Sequence, residues 1–68
     1  MKINVFYDRE KKEKTIELAN SSIVSGLLEK MKINPVTVIV SRDNSIITED
    51  EKLEDKDKIR IMSVISGG

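Results

Sequence analysis

Apolar and polar residues alternate through Lys2–Tyr7, with Ile3, Val5 and Tyr7 on one parity and Lys2, Asn4 and Phe6 on the other. Successive side chains of a pleated strand point to opposite faces, so this period of two predicts a strand with one buried side. Residues 8–13 are all charged and predict a hairpin loop, without the Asn-Gly type of turn signal. Residues 14–18 alternate again and turn Ile16 and Leu18 inward. Asn20, Ser21 and Ser22 offer caps for a helix, because a serine oxygen can accept from the free N–H groups of a first turn. Beyond them, Ile23, Leu27, Leu28 and Met31 recur at helical spacing. The pattern predicts a helix of about three turns, ended at Asn34-Pro35 because a residue before proline is pushed out of the α region. Gly26 inside it marks an expected close approach of helix to sheet.

The β-branched stretch Val36-Thr37-Val38-Ile39-Val40-Ser41 predicts a third strand. Arg42 to Ser45 turns the chain and Ile46-Ile47 makes a short strand. Residues 48–57 are polar except Leu53, which is expected to plug this loop into the core. Residues 58–65 form the last strand, with Ile59 and Ile61 inward. One amphipathic helix needs one sheet face to cover. If all strands share a sheet, the last lies beside the first, parallel to it, as a right-handed crossover permits. The fold class is α+β: a β-grasp, with a mixed sheet of four to five strands covered on one face by one main helix. The expected organisation is a domain over residues 1–65 and a flexible tail over 66–68.

Composition removes more chemistry than it adds. The chain has 68 residues, no cysteine and no histidine. Most zinc sites, Cys-His and Ser-His-Asp catalysis and imidazole proton shuttles are therefore excluded. Twelve basic side chains balance twelve acidic ones, so the excess cation that holds phosphate backbones is missing and no nucleic-acid partner is expected. The 35% charged content exceeds the usual ~25%. No apolar run reaches the ~18 residues of a membrane span, and the start Met1-Lys2-Ile3-Asn4 lacks the pattern of a signal peptide. A cytoplasmic protein, monomeric when free and with no membrane association, is the expectation. The acidic residues Glu49, Asp50, Glu51, Glu54 and Asp55 match no calcium-loop spacing. They read as a solvated loop, so no metal site and no catalytic residue is assigned.

The end of the chain carries the most specific signal. Leu53-Glu54-Asp55-Lys56-Asp57, an alternating strand, a short apolar stretch and Ser66-Gly67-Gly68 follow one another. Together with the strand order, this resembles the ubiquitin-like sulfur carrier family, which includes the thiamine-pathway carrier, the small subunit of molybdopterin synthase and the archaeal small modifier proteins. Residues 34–40 are also similar to the third strand of archaeal members. One departure is Asp55-Lys56-Asp57, where relatives commonly carry Asp-Gly-Asp.

The resemblance implies a protein substrate rather than an enzyme, with Gly68 as the site of adenylation, thiocarboxylation or covalent attachment and Ser66 and Gly67 as its tail. It implies no stably bound cofactor; ATP and magnesium are used by a ubiquitin-activating-type adenylating partner. A sulfur donor, a sulfur-accepting enzyme and, for a modifier, target-protein lysines complete the implied partners. The chemistry is consistent with such a tail. A carboxylate must become an acyl adenylate before sulfide, persulfide or an amine can take the acyl group, and glycines without Cβ fit a narrow channel. Three tail residues reach roughly 10 Å at ~3.3–3.6 Å each. A non-covalent β-grasp binding module is the alternative.

By strand parity Phe6, Ile39, Met62 and Val64 fall on the face away from the helix, where a shared apolar patch marks a partner surface. The resemblance to ubiquitin places Ile39 at that family's central exposed isoleucine.

Overall fold

A computed structural model of the chain describes residues 1–64, and residues 65–68 lie outside that description. Five strands form one sheet: β1 Lys2–Tyr7, β2 Lys12–Glu17, β3 Val38–Arg42, β4 Ser45–Ile47 and β5 Lys58–Ser63. Their spatial order is β2-β1-β5-β3-β4. β1 and β5 are parallel neighbours, while the β1–β2, β3–β4 and β3–β5 pairs are antiparallel. The single α-helix among the described residues, α1 Val24–Lys30, covers one face. This is the expected β-grasp.

The alternating residues do what their parity requires. Ile3, Val5, Val38, Val40, Ile59 and Ile61 meet Val24, Leu27 and Leu28 of α1 in the core, with Leu18 and the loop plug Leu53 closing its ends. A core of β-branched and leucine side chains is what a small domain without disulfides must rely on. The outer edge, β2, is a mostly exposed strand carrying Lys12, Glu13, Lys14 and Glu17, charges that discourage pairing with a second sheet. The β3–β4 hairpin turns on Asp43 and Asn44, both at positive φ (53° and 66°), the two-residue turn whose twist matches that of the strands.

Several local expectations are corrected. α1 has seven residues, about two turns rather than three. Ile23 precedes it in extended conformation, and no serine caps it. Instead, the Ser22 hydroxyl donates to the Ala19 carbonyl, and Ile23 bridges Lys52 of the long loop. The carbonyls of Glu51 and Glu49 accept from Val24 N–H and Ser25 N–H, both at 3.0 Å, so the loop backbone satisfies the helix start.

The helix also stops before Asn34-Pro35. Lys32 adopts φ 59°, and the N–H groups of Lys32 and Ile33 return to the carbonyls of Glu29 and Leu28. This closing pattern normally takes glycine at the left-handed position. Asn34 and Pro35 serve a later feature, a 3-10 turn over Pro35–Thr37 in which the Asn34 side chain accepts from Val36 N–H. Val36 and Thr37, predicted to open the third strand, therefore lie outside β3, and Val36 is exposed. The first hairpin loop is shorter than residues 8–13, since β2 begins at Lys12. Gly26 has no close neighbour: a Cβ built there meets nothing within 4 Å. Of the predicted last strand, residue 65 lies outside the described residues.

Candidate docking face and the base of the tail

The central position of β5 follows from its residues. Ile59 and Ile61 can be buried against both Val5 and Val40 only if β5 sits between β1 and β3, and the register pairs them so. β5 thus leads to the C-terminal end of the sheet with a neighbour on each side. The last described residue, Val64, is tied down: its N–H donates to the Thr37 carbonyl at 3.0 Å. Its side chain is 50% exposed. Val64 is thus a held residue just past the end of the central strand. Ser66, Gly67 and Gly68, the expected reactive tail, lie outside the described residues.

On the face away from α1, the register defines one row across all five strands: Glu13, Phe6, Arg60, Ser41 and Ile46. The neighbouring row, nearer the tail, places Ile39 directly opposite Met62. Ile39 and Met62 are half-buried and lie toward the end of β5 that runs to exposed Val64. Phe6 stands apart from these three. Arg60 is its direct partner across the β1–β5 pair, and the guanidinium carbon lies 5.4 Å from the ring centroid. That geometry is a cation–π contact, so this half of the face presents a cation over the aromatic ring.

A family model described as the ThiS family matches residues 1–68. The chain belongs to the ThiS family. Sulfur carrier protein TtuB of Thermus thermophilus is 29% identical over 55 residues, covering 81% of this chain and 85% of TtuB. An uncharacterized protein of Archaeoglobus fulgidus is 36% identical over 69 residues, with both chains covered completely. Among solved structures, Caldiarchaeum subterraneum ubiquitin superposes with a TM-score of 0.74 at 19% identity, over 100% of this chain and 98% of that one. A ubiquitin-like protein from the same archaeon gives 0.66 at 18%, over 98% of this chain and all of its own. At such identities these two establish the fold alone, and that fold is ubiquitin-like.

Three residues of this ThiS-family chain gain importance only in the structure. Arg42, opposite Ile59, sits on the helix side of the sheet, where a lone cation would be poorly solvated. It reaches the long loop instead, donating to Asp57 Oδ2 at 3.2 Å, Glu51 Oε2 at 3.0 Å and the Lys52 carbonyl at 3.0 Å. Asp57 Oδ2 also accepts from Glu54 N–H, so one carboxylate fastens both the arginine and the turn before β5. Asp55 Oδ1 accepts from Lys2 N–H at 2.8 Å, which holds its carboxyl below the ordinary range. Much of the acidic loop is therefore a clamp. Its sequence signal was available: an arginine at core parity facing a run of carboxylates needs partners. The other two residues are Arg60, at outward parity, and Ile46, 72% exposed at the β4 edge opposite Ser41.

The only further ion pair among the described residues links Lys14 and Glu10 at 2.7 Å. The Lys14 hydrogen bond holds the Glu10 carboxyl below its usual value. This pair braces the first hairpin and lies off the open face. Among the described residues no helix is long and apolar enough to cross a membrane.

Proposed function

We propose that the chain is a small sulfur carrier whose Gly68 carboxylate is adenylated by a ubiquitin-activating-type enzyme and then converted to a thiocarboxylate. The carboxylate oxygen attacks the α-phosphorus of ATP, held with magnesium by the partner, and pyrophosphate leaves. Sulfide then attacks the acyl carbon, AMP departs with the bonding electron pair, and the thiocarboxylate remains. If the donor is a persulfide, the product is first an acyl disulfide, which a thiol reductant splits. A lysine amine in place of sulfur gives an isopeptide, so conjugation to target proteins is a second outlet of the same adenylate. The chain supplies the carried group and the docking face; the partner supplies the catalysis.

The observation that carries this reading is the ThiS-family match, which runs through Gly67 and Gly68. Geometry agrees with it: β5 is the central, doubly flanked strand and Val64 after it is exposed and held to Thr37. The similarity to a protein named sulfur carrier TtuB agrees with it. Ile39, Met62 and Val64 are the proposed apolar partner surface, and Phe6, in the next row under Arg60, is a separate part of the same face.

The test is deletion of Gly67 and Gly68. Two terminal residues outside the core contribute few contacts, so thermal stability should hardly change. The carboxylate would fall roughly 7 Å short at ~3.5 Å per residue. Misplacement of even ~1 Å can cost about a hundredfold in rate. ATP-dependent adenylation should therefore be abolished, and with it the mass gain of sulfur for oxygen expected for the intact chain with a sulfur donor. A truncated chain adenylated at the normal rate would overturn the proposal.

A further inference from the structure

Next to Phe6 the open face holds a groove of about 250 Å³ whose lining includes Phe6, Ser41, the cations Lys58 and Arg60 and the carboxylates of Glu13 and Asp43. Its polar character is unusual in placement. Ser41 is only 7% exposed, the one buried polar side chain among the described residues, and it lines this groove rather than the core. Lys58 and Arg60 project from β5 on the same face, two residues apart, and neither makes an ion pair among the described residues. Among the described residues only Arg42, with Glu51 and Asp57, and Lys14, with Glu10, form ion pairs, so what sets Lys58 and Arg60 apart is their place together in this groove. Arg60 instead lies over Phe6, its guanidinium carbon 5.4 Å from the ring centroid, and its N–H donors are open to an incoming group.

We infer that this groove receives a carboxylate side chain of the activating partner, seated between Lys58 and Arg60 above Ser41, while the adjoining Ile39–Met62–Val64 surface takes an apolar side chain. The inference rests on the carrier reading and adds to it the chemistry of the partner's contact. An aspartate or glutamate can accept from the guanidinium in the bidentate manner that lysine alone does not offer. The Ser41 hydroxyl supplies a further donor on the floor. Glu13, opposite Phe6 in the same row, and Asp43 line the same groove and oppose the incoming carboxylate, which moderates the contact. A single acidic contact beside an apolar one also fixes orientation, because the two lie at different distances from the base of the tail. Complementary charge of this kind acts on encounter and specificity as well as affinity.

The experiment measures KM and kcat for ATP-dependent adenylation of the full chain by a ubiquitin-activating-type enzyme, at low and high salt. Arg60→Glu should raise KM by roughly tenfold or more at low salt, with kcat unchanged, and the difference should shrink as salt screens it. Arg60→Met, which keeps an unbranched side chain over Phe6, should raise KM by roughly threefold to fivefold and carries the test if the reversal unfolds the chain. Glu13→Gln should lower KM. An unchanged KM in both Arg60 variants, with the wild-type chain normally adenylated, overturns this contact and leaves the carrier reading standing. A fall in kcat alone would place Arg60 outside docking and also overturn it. A wild-type chain that is not adenylated at all overturns both.

Discussion

Replacing Gly26 by alanine should stabilise the domain. Gly26 is the third residue of α1, and its φ is not positive, so alanine can adopt the backbone already present. A Cβ there meets nothing within 4 Å, so the added methyl neither clashes nor gains packing. What remains is the difference in backbone freedom lost on folding, ~0.5–1 kcal/mol in favour of alanine inside a helix. For a domain of this size each kcal/mol moves Tm by about 4–8 °C, so the midpoint should rise by roughly 2–8 °C. Circular dichroism on heating would read the shift. Urea titration should show a higher midpoint at unchanged slope, because the surface exposed on unfolding is nearly the same. Adenylation should be unaffected, since α1 covers the face opposite Ile39 and Met62. A midpoint that stays still or falls would mean that the helix approaches the sheet more closely at Gly26 than the backbone geometry shows, and the reasoning would fail.

Lys56 occupies a left-handed position, φ 69°, where relatives commonly carry glycine. Lys56→Gly should gain about 0.5 kcal/mol, because relief of ~1–2 kcal/mol of left-handed strain exceeds the ~0.5–1 kcal/mol of extra backbone entropy, and denaturant titration would detect it. Arg42→Met should cost about 1–2 kcal/mol, because the pair is partly exposed and the loss is discounted for solvent screening. Amide exchange at Val24 and Ser25, whose N–H groups depend on the clamped loop, should accelerate in the same variant. The depressed Asp55 carboxyl contributes stability that is present above its unfolded pKa and lost as pH falls through its lower folded value. Asp55→Asn should therefore flatten the acid side of the stability curve, and an unchanged acid limb would show that the Lys2 hydrogen bond does not matter.

The strand segments and the helix stripe were legible because burial on one face forces a period into the sequence. Ile3, Val5, Ile59 and Ile61 could point nowhere but into the core, and their spacing stated it. The parallel pairing of β1 and β5 followed from needing one sheet for one helix. The ThiS-family resemblance at Leu53 and the Gly67-Gly68 end was likewise written in consecutive residues. The ends of elements were not, because they depend on contacts between distant segments. The start of α1 is set by carbonyls of Glu49 and Glu51, not by the nearby serines, and its stop by a lysine forced into a glycine's conformation. Val36 left its strand because the Asn34 side chain captured its N–H.

The proposed docking face shows the same division. Parity alone placed Phe6, Ile39, Met62 and Val64 on the outward side, since alternation is a property of one strand. Which outward residues touch is a property of register between strands. Register set Ile39 against Met62, gave Phe6 to Arg60, and added Ile46 at the far edge. Arg42 is the clearest case: its carboxylates lie nine and fifteen residues away and meet it only when the loop folds back over the sheet. A sequence records what each residue needs from its surroundings, whereas the fold decides which distant group supplies it.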